Sequence, residues 1–219
     1  MRVLRAMKAA VLKGLVIGLV VAAWPTAAVA ELVTNPLLPP TEGAYVSPDD
    51  WHVYYTDYGI YLEDASHFGF DGVMRTPGPG YEEEQFESIF TANTPLGPIT
   101  LTGSVTMRAY GYSSGALGSF ELEMIDMLLT GTVGGSFVQV REDVNEVSYG
   151  SAEISGPVEG YYDLLSSVVV YTELKIDDGE WAPGTYEGTA PLMEFKSKIP
   201  EPSAAALAVM GLLLVGRRR

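Results

Sequence analysis

The chain has 219 residues, of which 13 are basic and 28 acidic, and it contains no cysteine. Disulfides, a thiol nucleophile and cysteine metal sites are therefore excluded, and two histidines are too few for a multi-histidine zinc site. Seven basic residues lie in the terminal segments and 27 acidic residues lie within residues 31–199, so the formal charge of that segment is −21. Such a surface repels nucleic acid and anionic lipid.

Residues 1–30 have the composition of an export signal. Four basic residues precede an apolar stretch at residues 15–23, and Ala28 and Ala30 supply small side chains at the −3 and −1 positions for signal peptidase. Cleavage after Ala30 makes Glu31 the mature N-terminus. An uncleaved anchor is the alternative, but the apolar stretch is short for a membrane span. We expect a signal helix that is removed during export.

The middle of the chain shows the period-two alternation of β-strands. Apolar residues from Ile99 to Ala109 alternate with polar ones, a second alternation begins at Phe120, and a long strand is predicted over residues 161–176. Residues 75–80 are rich in Pro and Gly and predict a loop, and residues 81–86 predict one helical turn. Shorter strands are predicted at 52–58, 86–91, 136–141, 147–154 and 186–195.

Glycine-rich turns separate these strands, and residues 35–45 form a proline-rich lead-in arm. Many short strands with such turns are typical of an antiparallel β-sandwich or barrel. The sequence predicts a single all-β domain of the sandwich or jelly-roll type at residues 31–199. The signal helix at residues 1–30 and a short C-terminal transmembrane helix flank this domain.

Several acidic and histidine side chains are candidates for chemistry. Glu121 and Glu123 share one strand face and lie roughly 7 Å apart, a spacing that glycosidases use, but their alternation with apolar residues places them in solvent. The run of glutamates at residues 82–84 is interpreted as solvated. Asp126 falls on an apolar face, so a buried functional carboxylate is one hypothesis, and a strand bulge or a hydrogen-bonded edge carboxylate is favoured over it. The sequence assigns no nucleophilic serine to a triad with His67, so His67 is interpreted as structural.

Calcium is considered because hard cations bind several oxygens in a loop. Asp177, Asp178 and Glu180 surround Gly179, but Asp-Asp-Gly is also a hairpin turn signal, and the turn is the favoured interpretation. No EF-hand loop is present. The sequence therefore predicts no catalytic residue, no cofactor and no metal site, with these three residues as the weak calcium candidates.

The C-terminal tail has three parts. Pro200, Glu201 and Pro202 precede an apolar run of thirteen residues at 204–216, and Arg217, Arg218 and Arg219 end the chain. As a helix the run spans roughly 20 Å, which is short for a bilayer core of about 30 Å. The arginines should stay on the cytoplasmic side.

This tail resembles the PEP-CTERM sorting signal of bacterial exported proteins. The resemblance implies that an exosortase recognises the Pro-Glu-Pro motif and removes the tail, so these residues are a substrate site. The middle of the chain also resembles a β-rich domain repeated in exported PEP-CTERM proteins, which brings no catalytic residues. The matching stretches are Tyr58-Gly59-Ile60, Phe86-Glu87-Ser88, Gly118-Ser119-Phe120-Glu121, Val140-Arg141-Glu142 and Thr172-Glu173-Leu174 with residues 177–183.

These features predict an exported, non-catalytic protein of structural or adhesive type. Its partners are signal peptidase and an exosortase-type enzyme; it is held transiently at the inner membrane and then reaches the cell surface or the extracellular matrix. A carbohydrate-binding module is the alternative, because exposed Tyr and Trp side chains can stack on sugars of a polysaccharide. A glycoside-active enzyme is the less favoured third hypothesis.

Overall fold

The computed structural model describes residues 30–49, 51–186 and 191–197. All regular secondary structure in these residues is β, which confirms the all-β prediction. None of the described segments is a helix with the length and hydropathy needed to cross a membrane. The predicted signal and C-terminal helices lie outside the described residues. The strands are β1 (Glu31–Val33), β2 (Ala44–Val46), β3 (His52–Tyr55), β4 (Ile60–Gly78), β5 (Tyr81–Thr94), β6 (Gly97–Tyr110), β7 (Gly118–Val133), β8 (Ser136–Glu142), β9 (Tyr149–Val158), β10 (Tyr161–Val169), β11 (Thr172–Ile176), β12 (Ala182–Pro183), β13 (Thr185–Tyr186) and β14 (Leu192–Lys196).

Eight of these strands close into a ring in which every pairing is antiparallel. The order is β2, β4, β5, β6, β7, β9, β10 and β14, which pairs with β2 again. The fold is a closed barrel, and the predicted sandwich or jelly roll is wrong. Alternation along a strand specifies which face is dry, but a barrel interior and a sandwich core produce the same alternation.

The long strands β4 to β7 extend beyond this ring, and a second group of strands continues the wall at that end. There β8 pairs with β7 and β11, β12 pairs with β11, and β3 pairs with β4 and β13. Gly184 joins β12 to β13, and its N–H donates to the carbonyl of Thr172 at 2.8 Å. The strands β4 to β7 therefore form one side of an elongated barrel with one continuous core.

The core consists of the side chains that alternate inward from the barrel wall. Leu101, Val105 and Ala109 on β6 are nearly inaccessible, as the alternation predicted. The hydroxyl of Tyr55, which is fully buried, lies 2.6 Å from the Thr172 hydroxyl, so its polar atom is hydrogen-bonded inside the core. A cavity of about 30 Å³ lies among these inward side chains.

The loop and helical turn predicted at residues 75–86 are wrong. Strand β4 continues to Gly78, which pairs with Tyr81 at the start of β5, so only Pro79 and Gly80 form the turn. Gly80 has φ +86°, which glycine adopts without steric cost, and Pro-Gly is the favoured central pair of a type II turn. Pairing along the full length of β4 and β5 overrides the local preference of the Pro- and Glu-rich residues.

A β-bulge in β7 reverses the predicted faces of its second half. Thr106 pairs with Asp126 and Met107 pairs with Met124, so Ile125 is an extra residue on β7. After it, Met127 and Leu129 point inward, while Leu128, predicted to face the core, is 40% exposed. Asp126 is exposed, so it is not buried, and the bulge predicted as one alternative lies beside it at Ile125.

The long strand predicted over residues 161–176 is two strands. β10 ends at Val169 and β11 begins at Thr172, because the intervening backbone bonds to other segments. The N–H of Val170 donates to the Pro191 carbonyl at 3.1 Å, and the N–H of Tyr171 donates to the Ser148 hydroxyl at 3.0 Å. This break moves the chain from the closed ring to the second group of strands.

Candidate functional site

Two rows of outward-facing side chains cross the barrel wall at right angles to its strands. They lie opposite to the inward residues of β7, such as Phe120 and Leu122, so the alternation of each strand directs them to the outer side of the wall, where all of them except Val169 are accessible to solvent. Members of a row are direct cross-strand partners. The first row is Tyr81, Tyr110, Glu121, Ser151 and Ser167, and the second is Glu83, Arg108, Glu123, Tyr149, Val169 and Leu192.

The central part of these rows forms an open groove of about 600 Å³. We call it the outer groove, and its side chains with functional groups are Tyr110, Glu121, Glu123, Tyr149, Ser151 and Ser167. Two aromatic rings are accessible in it, since Tyr110 is 37% and Tyr149 53% exposed. The outer groove therefore combines flat apolar surfaces with carboxylate and hydroxyl oxygens.

Neighbouring contacts fix the ring of Tyr110. Its hydroxyl donates to the Glu123 carboxylate, and this hydrogen bond is the main cause of the raised pKa of Tyr110. Its ring meets the Tyr81 ring edge-on with centroids 5.7 Å apart. The guanidinium of Arg108 lies 4.8 Å above the Tyr81 ring and pairs with Glu83 at 3.0 Å. One side of the outer groove is thus held in place before any ligand arrives.

The two carboxylates considered for glycoside chemistry are in the outer groove. Glu121 is exposed and Glu123 accepts the Tyr110 hydrogen bond, so both face solvent, as the alternation predicted. A glycosidase acid is a carboxyl group held in an apolar pocket, because burial keeps it protonated. The open position of Glu121 suits hydrogen bonding to a ligand better than proton donation.

An acidic hollow of about 410 Å³ lies beside the outer groove and shares Glu123 with it. The pKa of Glu142 is raised to about 7, mainly by partial burial and also by the charges of Asp126 and Glu123, while hydrogen bonds from Ser148 act in the opposite direction. Across residues 30–49, 51–186 and 191–197, no three His, Asp or Glu side chains come together as metal ligands. The sequence missed Glu142, whose burial depends on a loop at residues 143–148.

His67 lies inside the barrel, where its Nε2 is 2.7 Å from the Ser88 hydroxyl. Burial lowers its pKa to about 4, so the imidazole is neutral at physiological pH. The flanking Asp64 and Asp71 are exposed on the other face of β4, and Asp64 accepts a hydrogen bond from the Asn93 amide at 2.8 Å. These contacts agree with the structural role predicted for His67.

The glutamate run at residues 82–84 is not solvated as predicted. Glu82 and Glu84 are buried and only Glu83 faces outward, because β5 continues the alternation of Phe86 back to its first residue. The Nε of Arg75 lies 3.7 Å from Glu84 Oε1 and 3.9 Å from Glu82 Oε1, which are ion-pair distances. Burial raises the pKa of Glu84 to about 8, and the opposing effect of Arg75 is smaller.

The lead-in arm covers this buried cluster at one end of the barrel. The Nη2 of Arg75 donates to the Leu38 carbonyl at 2.9 Å, and the Tyr112 hydroxyl donates to the Pro36 carbonyl at 2.9 Å. Leu38 is itself buried. Arg75 on β4 and Tyr112 between β6 and β7 thus hold the arm at this end of the barrel through its carbonyl groups.

The calcium candidates lie in the turn between β11 and β12, with all three side chains exposed. The carboxylate of Asp177 accepts a hydrogen bond from the Phe137 N–H at 2.9 Å, and the Asp177 N–H donates to the Phe137 carbonyl at 2.8 Å. The Gly179 N–H closes the turn on the Ile176 carbonyl at 3.0 Å. Asp177 therefore ties this turn to β8, and Asp178 and Glu180 lie on its solvent side.

The predicted processing residues are only partly described. Ala30 is exposed, and Glu31 begins β1, where its carboxylate accepts a hydrogen bond from the Ser197 N–H at 3.3 Å and lies 3.7 Å from the Lys196 ammonium. The Ser197 hydroxyl donates to the Leu32 carbonyl at 2.5 Å. The remaining processing residues, Ala28, Pro200, Glu201, Pro202, Arg217, Arg218 and Arg219, lie outside the described residues.

No protein-family model matches the chain, and neither a curated protein nor a solved structure matches it significantly. Hypotheses about its function therefore depend on the terminal motifs, the contact between Glu31 and Ser197, and the outer groove.

Proposed function

We propose that the chain is an exported, non-catalytic cell-surface or extracellular-matrix protein that is delivered through the PEP-CTERM route. Signal peptidase removes residues 1–30, and the C-terminal helix then holds the protein at the inner membrane. An exosortase-type enzyme recognises residues 200–202 and releases the domain. The Pro-Glu-Pro motif, followed by an apolar run and three arginines, is the observation on which this proposal rests.

The arrangement of the barrel ends supports the proposal. Glu31 and Ser197 are in contact, so the start of β1 and the end of β14 lie at the same place on the barrel. Both predicted cleavage positions lie outside the strands, since β1 begins at Glu31 and β14 ends at Lys196. Removal of both segments leaves every strand pairing of the barrel intact.

The test replaces Pro200, Glu201 and Pro202 with alanine and follows the protein by membrane fractionation and mass spectrometry. We expect this variant to stay in the inner-membrane fraction with its tail attached, while the wild type loses residues 1–30 and most of the tail. Ser203→Ala, next to the motif, is the matched control and should be processed normally. Release and trimming of the triple variant at the wild-type rate would refute the sorting route.

A second candidate function, binding of carbohydrate, is favoured by the exposed rings of Tyr110 and Tyr149 in the outer groove. Catalysis on glycosides is the weaker hypothesis, because the two groove carboxylates face solvent. Hydrolysis of a polysaccharide by the purified protein, abolished by Glu121→Gln or Glu123→Gln, would contradict the non-catalytic proposal.

A further inference from the structure

We propose that the outer groove is a binding site for a neutral oligosaccharide, which lies across strands β6, β7, β9 and β10. The inference goes beyond delivery to the cell surface, because it assigns a ligand class to one face of the barrel. Binding in the groove can fail while export and tail processing proceed normally, so the two proposals are separable.

The positions of the aromatic rings suit a ligand of a few sugar rings. Tyr110 is on β6 and Tyr149 on β9, and β7 lies between them. With strands about 4.8 Å apart and an offset of two residues along the strand, the two Cα atoms are about 12 Å apart, the length of about two or three pyranose rings. Glu121 and Glu123 are on the intervening strand β7, as the cross-strand partners of Tyr110 and Tyr149, and Ser151 lies beside Glu121 on β9.

The chemistry of the groove matches both faces of a sugar. The C–H face of a pyranose is apolar and can pack against a tyrosine ring, which offers a large rigid surface at low entropic cost. Sugar hydroxyls can donate to the carboxylates of Glu121 and Glu123 and exchange hydrogen bonds with Ser151 and Ser167. The hydrogen bond from Tyr110 to Glu123 orders one side of the site in advance, which reduces the cost of binding.

The charge of the groove selects against acidic sugars. Glu121 and Glu123 are its two ionisable carboxylates, and the nearby cation, Arg108, is already paired with Glu83. The segment that contains the barrel also carries a formal charge of −21. A uronate polymer would meet repulsion here, whereas a neutral polymer would meet hydrogen-bond acceptors. The ligand class is therefore a neutral oligosaccharide.

The experiment titrates the full chain, purified in a sugar-free zwitterionic detergent, with soluble oligosaccharides in a calorimeter. The probes are cellohexaose, xylohexaose and mannohexaose, with an oligogalacturonate as the acidic counterpart. We expect at least one neutral probe to bind and the oligogalacturonate to bind at least about tenfold more weakly. Tyr149→Ala should weaken binding of the neutral probe about tenfold, the order of magnitude of one lost stacking contact.

Tyr161→Ala is the matched control, because Tyr161 is 40% exposed on the same barrel but does not line the groove. It should leave the affinity unchanged, and circular dichroism should show that both variants are folded. Failure of all three neutral probes would overturn the proposal, as would stronger binding of the oligogalacturonate or an equal loss in both variants. Self-association that Tyr149→Ala abolishes, without any sugar binding, would assign the groove to a second copy of the chain instead.

Discussion

Glu84 is an ionisable residue inside the barrel, and its replacement by glutamine tests the electrostatics of the core. The residue is 1% exposed, and one of its carboxyl oxygens lies 3.7 Å from the Arg75 Nε, too far for a hydrogen bond. Burial raises its pKa from the ordinary 4.5 to about 8, so the carboxyl group is protonated in the folded protein at neutral pH. Glutamine keeps the shape of this neutral group and cannot ionise.

The pH dependence follows from the direction of this shift. The folded protein binds the Glu84 proton more tightly than the unfolded chain, so its contribution to stability is complete below pH 4.5 and is lost as the pH rises through 8. At about 1.4 kcal/mol per pH unit, the full loss is about 5 kcal/mol at most, of which about 2 kcal/mol falls between pH 6.5 and 8. His67 is neutral in the fold throughout this range, and its titration in the unfolded chain near pH 6.5 is the same in the wild type and in Glu84→Gln, so it cancels in the comparison.

The assay is urea unfolding, followed by tryptophan fluorescence, of the wild type and Glu84→Gln at intervals from pH 6.5 to 9. We expect the free energy of unfolding of the wild type to fall by about 2 kcal/mol more than that of the variant over this range. Glu87→Gln, an exposed change on the same strand, is the control and should follow the wild type. Equal pH slopes for Glu84→Gln and the wild type would show that Glu84 is ionised in the fold.

Three further predictions concern the interior and the arm. Burial lowers the pKa of His67 from 6.5 to about 4, so wild-type stability should fall as the pH drops through this range, and His67→Gln should remove up to about 3 kcal/mol of that loss in acid titrations of the unfolding midpoint. Gly103→Ala would press its Cβ against the Leu128 carbonyl, which β-pairing holds in place, and should cost about 3 kcal/mol or more in urea unfolding; a wild-type midpoint would contradict this. Tyr112→Phe leaves the Pro36 carbonyl without its donor, so it should cost about 1 kcal/mol and speed proteolysis of the arm; unchanged cleavage would show that the arm is held by other contacts.

Much of the inward face could be predicted from the sequence because alternation is a local property. The apolar residues of β6 from Ile99 to Ala109 all line the interior, with Gly103 among them, and Glu121 and Glu123 face outward as expected. The prediction of inward residues failed in β7, where one extra residue reverses which side chains point inward. An extra residue at Ile125 turns Leu128 outward, and nothing in the hydrophobic pattern marks its position.

Local composition was misleading where long-range pairing was strong. Three consecutive glutamates suggested a solvated run, yet β5 pairs with β4 and β6 along its whole length and directs Glu82 and Glu84 into the barrel. Phe86 and Phe90 occupy alternate inward positions of β5. Continuing that alternation back toward the turn would have predicted that Glu82 and Glu84 also point inward. What could not be predicted is that Arg75 approaches both glutamates and also bonds to the Leu38 carbonyl of the arm, because these contacts join residues of two strands and of the arm that are not neighbours in the sequence.

The outer groove could likewise be predicted only in part from the sequence. Glu121 and Glu123 were predicted from the sequence to be outward carboxylates, but Tyr110, Tyr149 and Ser167 were not connected with them. Those residues come from four strands, and they become neighbours only because β9 pairs with both β7 and β10. Their proximity follows from the closure of the ring.

The sequence by itself determined the alternating strands, the cysteine-free acidic composition of the middle segment and the two terminal motifs, since each is written in neighbouring residues. The tertiary structure alone decided that the sheet closes on itself, which glutamates are buried and which side chains share the outer groove. Alternation encodes which face of a strand is dry, whereas the partner of each strand is chosen by the packing of the whole barrel. The pairing of the strands therefore determines which side chains fill the interior and which ones line the outer groove.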